Sequence, residues 1–218
     1  ATFSRAGFVG SQRAPLHWAG DENSTWDAFR HSILAGLSVG ISGIPFWGWD
    51  FGGFSGEIPS AELYLRAAAM AVFCPVFQYH SEYNAHRAPS HDRTPWNIAE
   101  RTGDARVLPR FRDLCALRQK LMPYIWREAQ HSAATGEPMM RALQLWHAEA
   151  SPYQYYFGRD LLVCPVVEEG ALVWTGYLPP GRWTLMEGDE VFEGGGAITV
   201  TTPLGVIPVF AREGTALE

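Results

Sequence analysis

The sequence holds a single lysine (Lys120), three cysteines, and no apolar run near the roughly 20 residues a membrane-spanning helix needs. Each scarcity excludes something. With few basic residues and a formal net charge of −6, the chain lacks the clustered Lys and Arg of a nucleic-acid surface. Cys74, Cys115 and Cys164 cannot all pair within the chain, and each stands among apolar neighbours, as small buried hydrophobes do. Their separations fit neither a metal knuckle nor a redox pair, so a disulfide-stapled secreted scaffold is not expected, and the usage leans towards the cytoplasm. Ala1-Thr2-Phe3-Ser4-Arg5 does not form the basic-then-apolar pattern of a signal peptide, and without an initial methionine the chain reads as starting mid-protein.

What is present is apolar and aromatic. Hydrophobic residues make up 47% and charged residues 18% of 218 positions, a globular composition long enough for one large domain or two small ones. Nine tryptophans are many for this length. Their flat faces suit stacking on pyranose rings, and they equally suit a core.

Periodicity divides the chain. Trp26, Phe29, Ile33 and Leu37 recur at helical spacing, which predicts a helix over 24–39 with Ser24 and Asp27 as a capping box. Residues 41–47 read as a buried strand, followed by the glycine-rich loop Asp50-Phe51-Gly52-Gly53-Phe54-Ser55-Gly56. A second helix is expected from Ala61 to about Phe73, a strand over 76–79, a long polar loop over 81–104, and one long third helix from Val107 to about Ser132. From Gly136 onward the helical period gives way to short β-type runs at 161–167, 172–178, 197–202 and 206–210. The expectation is α/β: a parallel arrangement of strands and helices over 1–135, then an antiparallel β domain over 136–218.

Polar residues gather just after the strand candidates: Arg5, then Asp21 closing His17-Trp18-Ala19-Gly20-Asp21, Asp50 closing Gly48-Trp49-Asp50, and His80 closing Phe77-Gln78-Tyr79-His80. In a parallel barrel the strand C-terminal ends share one face, where active sites sit. Two carboxylates, an arginine and a histidine among aromatic rings describe a sugar pocket. Each residue also has a plainer reading. Asp21 serves equally as a cap for the helix near Ser24, and Asp50 as a stabiliser of the glycine-rich turn. His80, Glu82, His86 and His91 invite a metal reading, but their spacing matches no standard zinc pattern.

The joint pattern resembles glycoside hydrolase family 31, the α-glucosidases, α-xylosidases and relatives. The likeness is carried by Ser4-Arg5-Ala6-Gly7, His17-Trp18-Ala19-Gly20-Asp21 and the run Gly43 to Phe54, then by Phe77-Gln78-Tyr79-His80, Arg93-Thr94-Pro95-Trp96 and Leu121-Met122-Pro123-Tyr124-Ile125. Tyr156 to Val166, Tyr177 to Trp183 and Ile207-Pro208-Val209-Phe210 continue it to the end, in order. The resemblance implies the C-terminal portion of a (β/α)8 TIM barrel followed by an all-β sandwich, and double-displacement hydrolysis of α-linked glucosides, xylosides or related sugars without metal or organic cofactor. It implies that Asp21 is the acid/base, that Arg5, Asp50 and His80 hold sugar hydroxyls, and that Trp18 and Phe54 are aromatic walls.

Two departures stand out. Gln78 occupies a position where the family often has arginine. The family's nucleophile, an aspartate on an earlier strand, has no counterpart here, so the chain is expected to supply the acid/base half of a site completed by an N-terminal remainder of the same enzyme. Alone it is then expected to be inactive and poorly stable. Retaining chemistry needs two carboxyls about 5–5.5 Å apart. Two other readings stay open: an α-transglycosylase, and a non-catalytic carbohydrate-binding or structural module built on a degenerate barrel.

Overall fold

A computed structural model describes residues 3–14, 16–82 and 87–217; His86 of the metal reading lies outside the described residues. The first half winds as parallel strands joined by helices. Strands β1 (Phe3–Ser4), β2 (Leu16–Trp18) and β3 (Trp47–Gly48) pair in that order, with Phe3 beside Leu16 and His17 beside Trp47. Residues 76–78 lie next, tied by Val76 N–H donating to Trp47 O (3.2 Å) and by a parallel bridge between Asp50 and Gln78.

Helix α1 (Trp26–Ile41) crosses from β2 to β3 and buries Phe29, Ile33 and Leu37, the face that the periodicity marks. It starts two residues later than expected: Thr25 is the cap, accepting from Ala28 N–H at 3.1 Å, while Ser24 Oγ accepts from Arg93 instead. Neither Ser24 nor Asp21 therefore caps this helix. Gly36 lets α1 press on the sheet, since a Cβ there would come 2.7 Å from the Trp47 ring. The strand expected over 41–47 shrinks to Trp47–Gly48 because Ile41 is still helical and Gly43, at φ +88°, turns the chain first.

Helix α2 (Ala61–Ala71), capped by Ser60, is buried nearly all round; its run of alanines lets neighbours close in on every side. The loop expected over 81–104 contains helix α3 (Pro95–Thr102), which Thr94 caps and proline opens. The single long third helix is in fact two, α4 (Val107–Lys120) and α5 (Met122–Thr135). Pro123 is the reason, because it has no N–H to continue the ladder and instead starts the first turn of a new helix.

After Gly136, whose φ of +81° ends α5, the chain is β. Strands β4 (Met140–Ala142), β5 (Tyr155–Phe157), β6 (Leu161–Val163), β8 (Arg182–Leu185), β9 (Val191–Glu193) and β11 (Val209–Arg212) make a six-stranded sheet in the order β4-β5-β6-β11-β8-β9. Every pairing in it is antiparallel. The hairpin-like pair β7 (Val173–Leu178) and β10 (Gly196–Thr201) stands apart from it. Leu162, Cys164, Trp174, Leu178, Trp183, Val200 and Phe210 fill the space between the two sheets.

A buried arginine and a buried tyrosine fasten the two halves. Arg66 of α2 donates to the carbonyls of Pro203 (3.2 Å), Val206 (2.9 Å), Ala171 (2.7 Å) and Thr202 (2.8 Å). Tyr155 Oη of β5 donates to Phe73 O at 3.0 Å. Buried carbonyls must find donors, and one planar guanidinium serves several at once.

Candidate active site

The parallel register brings the sequence-marked residues to the C-terminal ends of neighbouring strands. Arg5 directly follows β1, Asp21 lies three residues past β2, Asp50 two past β3, and His80 two past Gln78. Trp18 ends β2, with its ring centroid 6.3 Å from that of Phe54; Phe54 is in turn 5.2 Å from the His80 ring. Phe3, Trp18, Asp50, Gln78, Tyr79 and His80 line an open cavity of about 400 Å³. Arg5 and Asp21 are outside that lining set. They pair with each other at 3.1 Å, both partly open to solvent, and the Arg5 guanidinium sits 5.9 Å from the Trp18 ring centroid.

Asp50 is placed quite differently from Asp21. Its side chain is wholly enclosed. Oδ1 accepts from Gln78 Nε2 at 2.8 Å; Oδ2 accepts no hydrogen bond from a described residue and has His80 Nδ1 at 3.9 Å. Burial pushes its carboxyl above the usual carboxylate range, opposed by the Gln78 hydrogen bond and the His80 charge and reinforced by the Asp21 charge. The turn-stabilising role considered for Asp50 falls to its backbone, since its carbonyl accepts from Gly53 N–H at 2.9 Å.

Two glycines keep this geometry. Gly20, at φ +99°, would place a Cβ 3.2 Å from Arg5 Nε, and Gly53, at φ +96°, would place one 2.5 Å from Ser24 Oγ. The glycine-rich loop is held from behind by Arg93, a fully buried residue that sequence reasoning marked only as part of a motif. Arg93 donates to Ser55 O (2.8 Å), Gly56 O (2.9 Å), Glu57 O (3.1 Å), Ser24 Oγ (3.2 Å) and His91 O. Phe3 and Tyr79 were also missed as lining residues, although each flanks a marked position. His91 bonds Gly56 O at 3.0 Å rather than facing His80. Among the described residues, no three His, Cys, Asp or Glu side chains cluster as metal ligands would. The arrangement can grip hydroxyls with a buried acceptor and an imidazole, stack a sugar on Trp18 and Phe54, and offer an accessible carboxyl nearby.

Comparison with known proteins adds sequence and structural kin. The profile for the "Glycosyl hydrolases family 31 TIM-barrel domain" matches residues 1–128, and that for the "Glycosyl hydrolase family 31 C-terminal domain" matches residues 136–217. The chain is 51% identical to a 1,3-alpha-isomaltosidase of Kribbella flavida, over 97% of this chain and 30% of the relative. It is 41% identical to an isomaltosyltransferase of Sporosarcina globispora, over 99% and 20%. A solved structure, a cycloalternan-degrading enzyme from Trueperella pyogenes, has been described in complex with isomaltose and with a covalent intermediate. Each of these superposes with a TM-score of 0.94 at 49% identity, covering 99% of this chain and about a third of the other. The chain thus spans less than a third of the length of these relatives.

Proposed function

The chain belongs to glycosyl hydrolase family 31, and from that membership we propose that it supplies the acid/base half of a retaining α-glycosidase acting on isomaltosyl units. The observation that carries the proposal is that successive parallel segments bring Asp50 and His80, with Trp18, into the wall of one cavity and set the Arg5–Asp21 pair beside the same Trp18 ring. The names of the relatives at 51% and 41% identity favour isomaltosyl over xylosyl substrates.

In this reading the barrel part is 1–135 and the β domain 136–218. Asp21 protonates the glycosidic oxygen as the bond to the anomeric carbon breaks, while a carboxylate from a preceding part of the enzyme attacks that carbon and forms a glycosyl ester. Asp21, now ionised, takes a proton from water as the water oxygen attacks the same carbon and releases the nucleophile. Arg5, Asp50 and His80 hold hydroxyls, and Trp18 and Phe54 stack on the ring. The covalent intermediate described for the Trueperella pyogenes relative supports the two-step course. Resolution of the ester by a sugar hydroxyl instead of water is the second reading, favoured by the isomaltosyltransferase relative.

The test uses the full-length gene product and its Asp21→Asn variant on α-1,3-linked isomaltosyl oligosaccharides, aryl α-glucosides and α-xylosides. Release of isomaltose is expected, with kcat falling roughly 10²–10⁴-fold in the variant. The fall shrinks for a leaving group acidic enough to depart unprotonated. Equal rates in the two proteins would sink the acid/base assignment, and no turnover of any glycoside favours a sugar-binding module. Product analysis at high acceptor concentration separates hydrolysis from transfer.

A further inference from the structure

Gln78 lies one segment over from Asp50, and two independent contacts bind them. The backbones bridge, with Phe51 N–H donating to Gln78 O at 3.3 Å, and the Gln78 side chain donates to Asp50 Oδ1 at 2.8 Å. The other oxygen, Oδ2, is enclosed and accepts no hydrogen bond from a described residue. Leaving a buried acceptor unpaired costs free energy, and native structures rarely do so without a purpose. Asp50 and Gln78 stand side by side in the wall of the 400 Å³ cavity.

We propose that Gln78 is a positioning residue for substrate binding, holding Asp50 through Oδ1 so that Oδ2 stays turned to the cavity as the acceptor for a sugar hydroxyl. This rests on the cavity being the glycosyl-binding site. A carboxylate turns about its Cβ–Cγ bond in a broad, roughly two-fold well. One amide donor on one oxygen fixes the plane and leaves the other oxygen free. A guanidinium in the same place would reach for both oxygens in a bidentate pair and compete with the hydroxyl. The charged and titratable groups around Asp50 are His80 on the Gln78 segment and Asp21 past β2, itself paired with Arg5. Among the described residues, His80, when protonated, brings the positive charge beside Oδ2.

The experiment measures isomaltose binding by calorimetry across pH, using the full-length protein with Asp21→Asn to suppress turnover. The parent is compared with added Gln78→Leu and Gln78→Arg, and melting temperatures are recorded for all three. Loss of a hydrogen bond to a charged group predicts about 10-fold or greater weakening for Gln78→Leu. The acidic limb of its binding profile moves to higher pH, because the bond from Gln78 favours ionised Asp50. Gln78→Arg regains a donor, so it recovers part of the affinity and moves that limb to lower pH. A role as mere filler leaves the limb in place. Binding by Gln78→Leu within twofold of the parent, with an unmoved limb, overturns the proposal. So does an equal loss in Leu and Arg accompanied by a common drop in melting temperature. If the parent binds isomaltose but the wild type turns nothing over, the hydrolase reading fails while the Gln78 comparison still decides this one. If the parent does not bind isomaltose, both fall.

Discussion

Replacing Arg93 with methionine keeps the volume and removes every donor. Five acceptors lose a bond: the carbonyls of Ser55, Gly56, Glu57 and His91, and Ser24 Oγ, of which Gly56 O keeps its contact with His91. Hydrogen bonds to a charged group contribute about 1.5–3 kcal/mol each when deleted singly, but two corrections lower the total. Several of these carbonyls are only partly buried, so water replaces some bonds. Burial also disfavours the guanidinium's charge, with the Glu82 and Glu57 charges acting the other way, and that cost disappears with the arginine. A net loss of about 3 kcal/mol remains, or roughly 6–12 °C in melting temperature for a unit of 150–250 residues and proportionately less in a longer full-length enzyme. The glycine-rich loop, freed behind Phe54, should also raise KM for an isomaltosyl substrate. Arg93→Lys keeps the charge but has only a point donor, so it loses about half as much. Circular-dichroism melting with steady-state kinetics makes the check. No resolvable drop in melting temperature together with unchanged KM would refute the view that Arg93 holds this loop, leaving it a residue that merely tolerates burial.

Asp50→Asn should melt higher than wild type at neutral pH while losing affinity for sugar. The folded carboxyl is raised above its ordinary 3.8 by burial, so the wild type loses stability as pH rises from that ordinary value through the raised one. The variant's advantage should therefore close on acidification, and melting curves at pH 3.5, 5 and 7 check it. Arg66→Met strips donors from four carbonyls of the β domain and should cost about 3 kcal/mol. Limited proteolysis should then cut between the two halves sooner than in wild type; unchanged resistance would show that apolar packing alone joins them.

The sequence by itself determined helices α1 and α2 and the change from helical to β periodicity near Gly136, and it marked Arg5, Asp21, Asp50 and His80 as following strand-like segments, while α3 and strands β4, β5, β8 and β9 went unread. Those depend on local patterns, which a chain carries wherever it folds. Parallel pairing then brought Arg5, Asp21, Asp50 and His80 to one edge, because each follows its strand or strand-like segment in the same direction. The break at Pro123 is equally local, a missing N–H, but the apolar spacing runs on across it and reads as one helix. Tertiary structure alone decided that Thr25 rather than Ser24 caps α1, since Ser24 is claimed by Arg93, 69 positions away. It alone separated two similar aspartates into an exposed one paired with Arg5 and an enclosed one held by Gln78. It also made buried collectors of carbonyls out of Arg66 and Arg93, residues whose charge alone predicts a surface. A side chain's burial and partners depend on what distant segments bring to it, and no window of sequence contains that information.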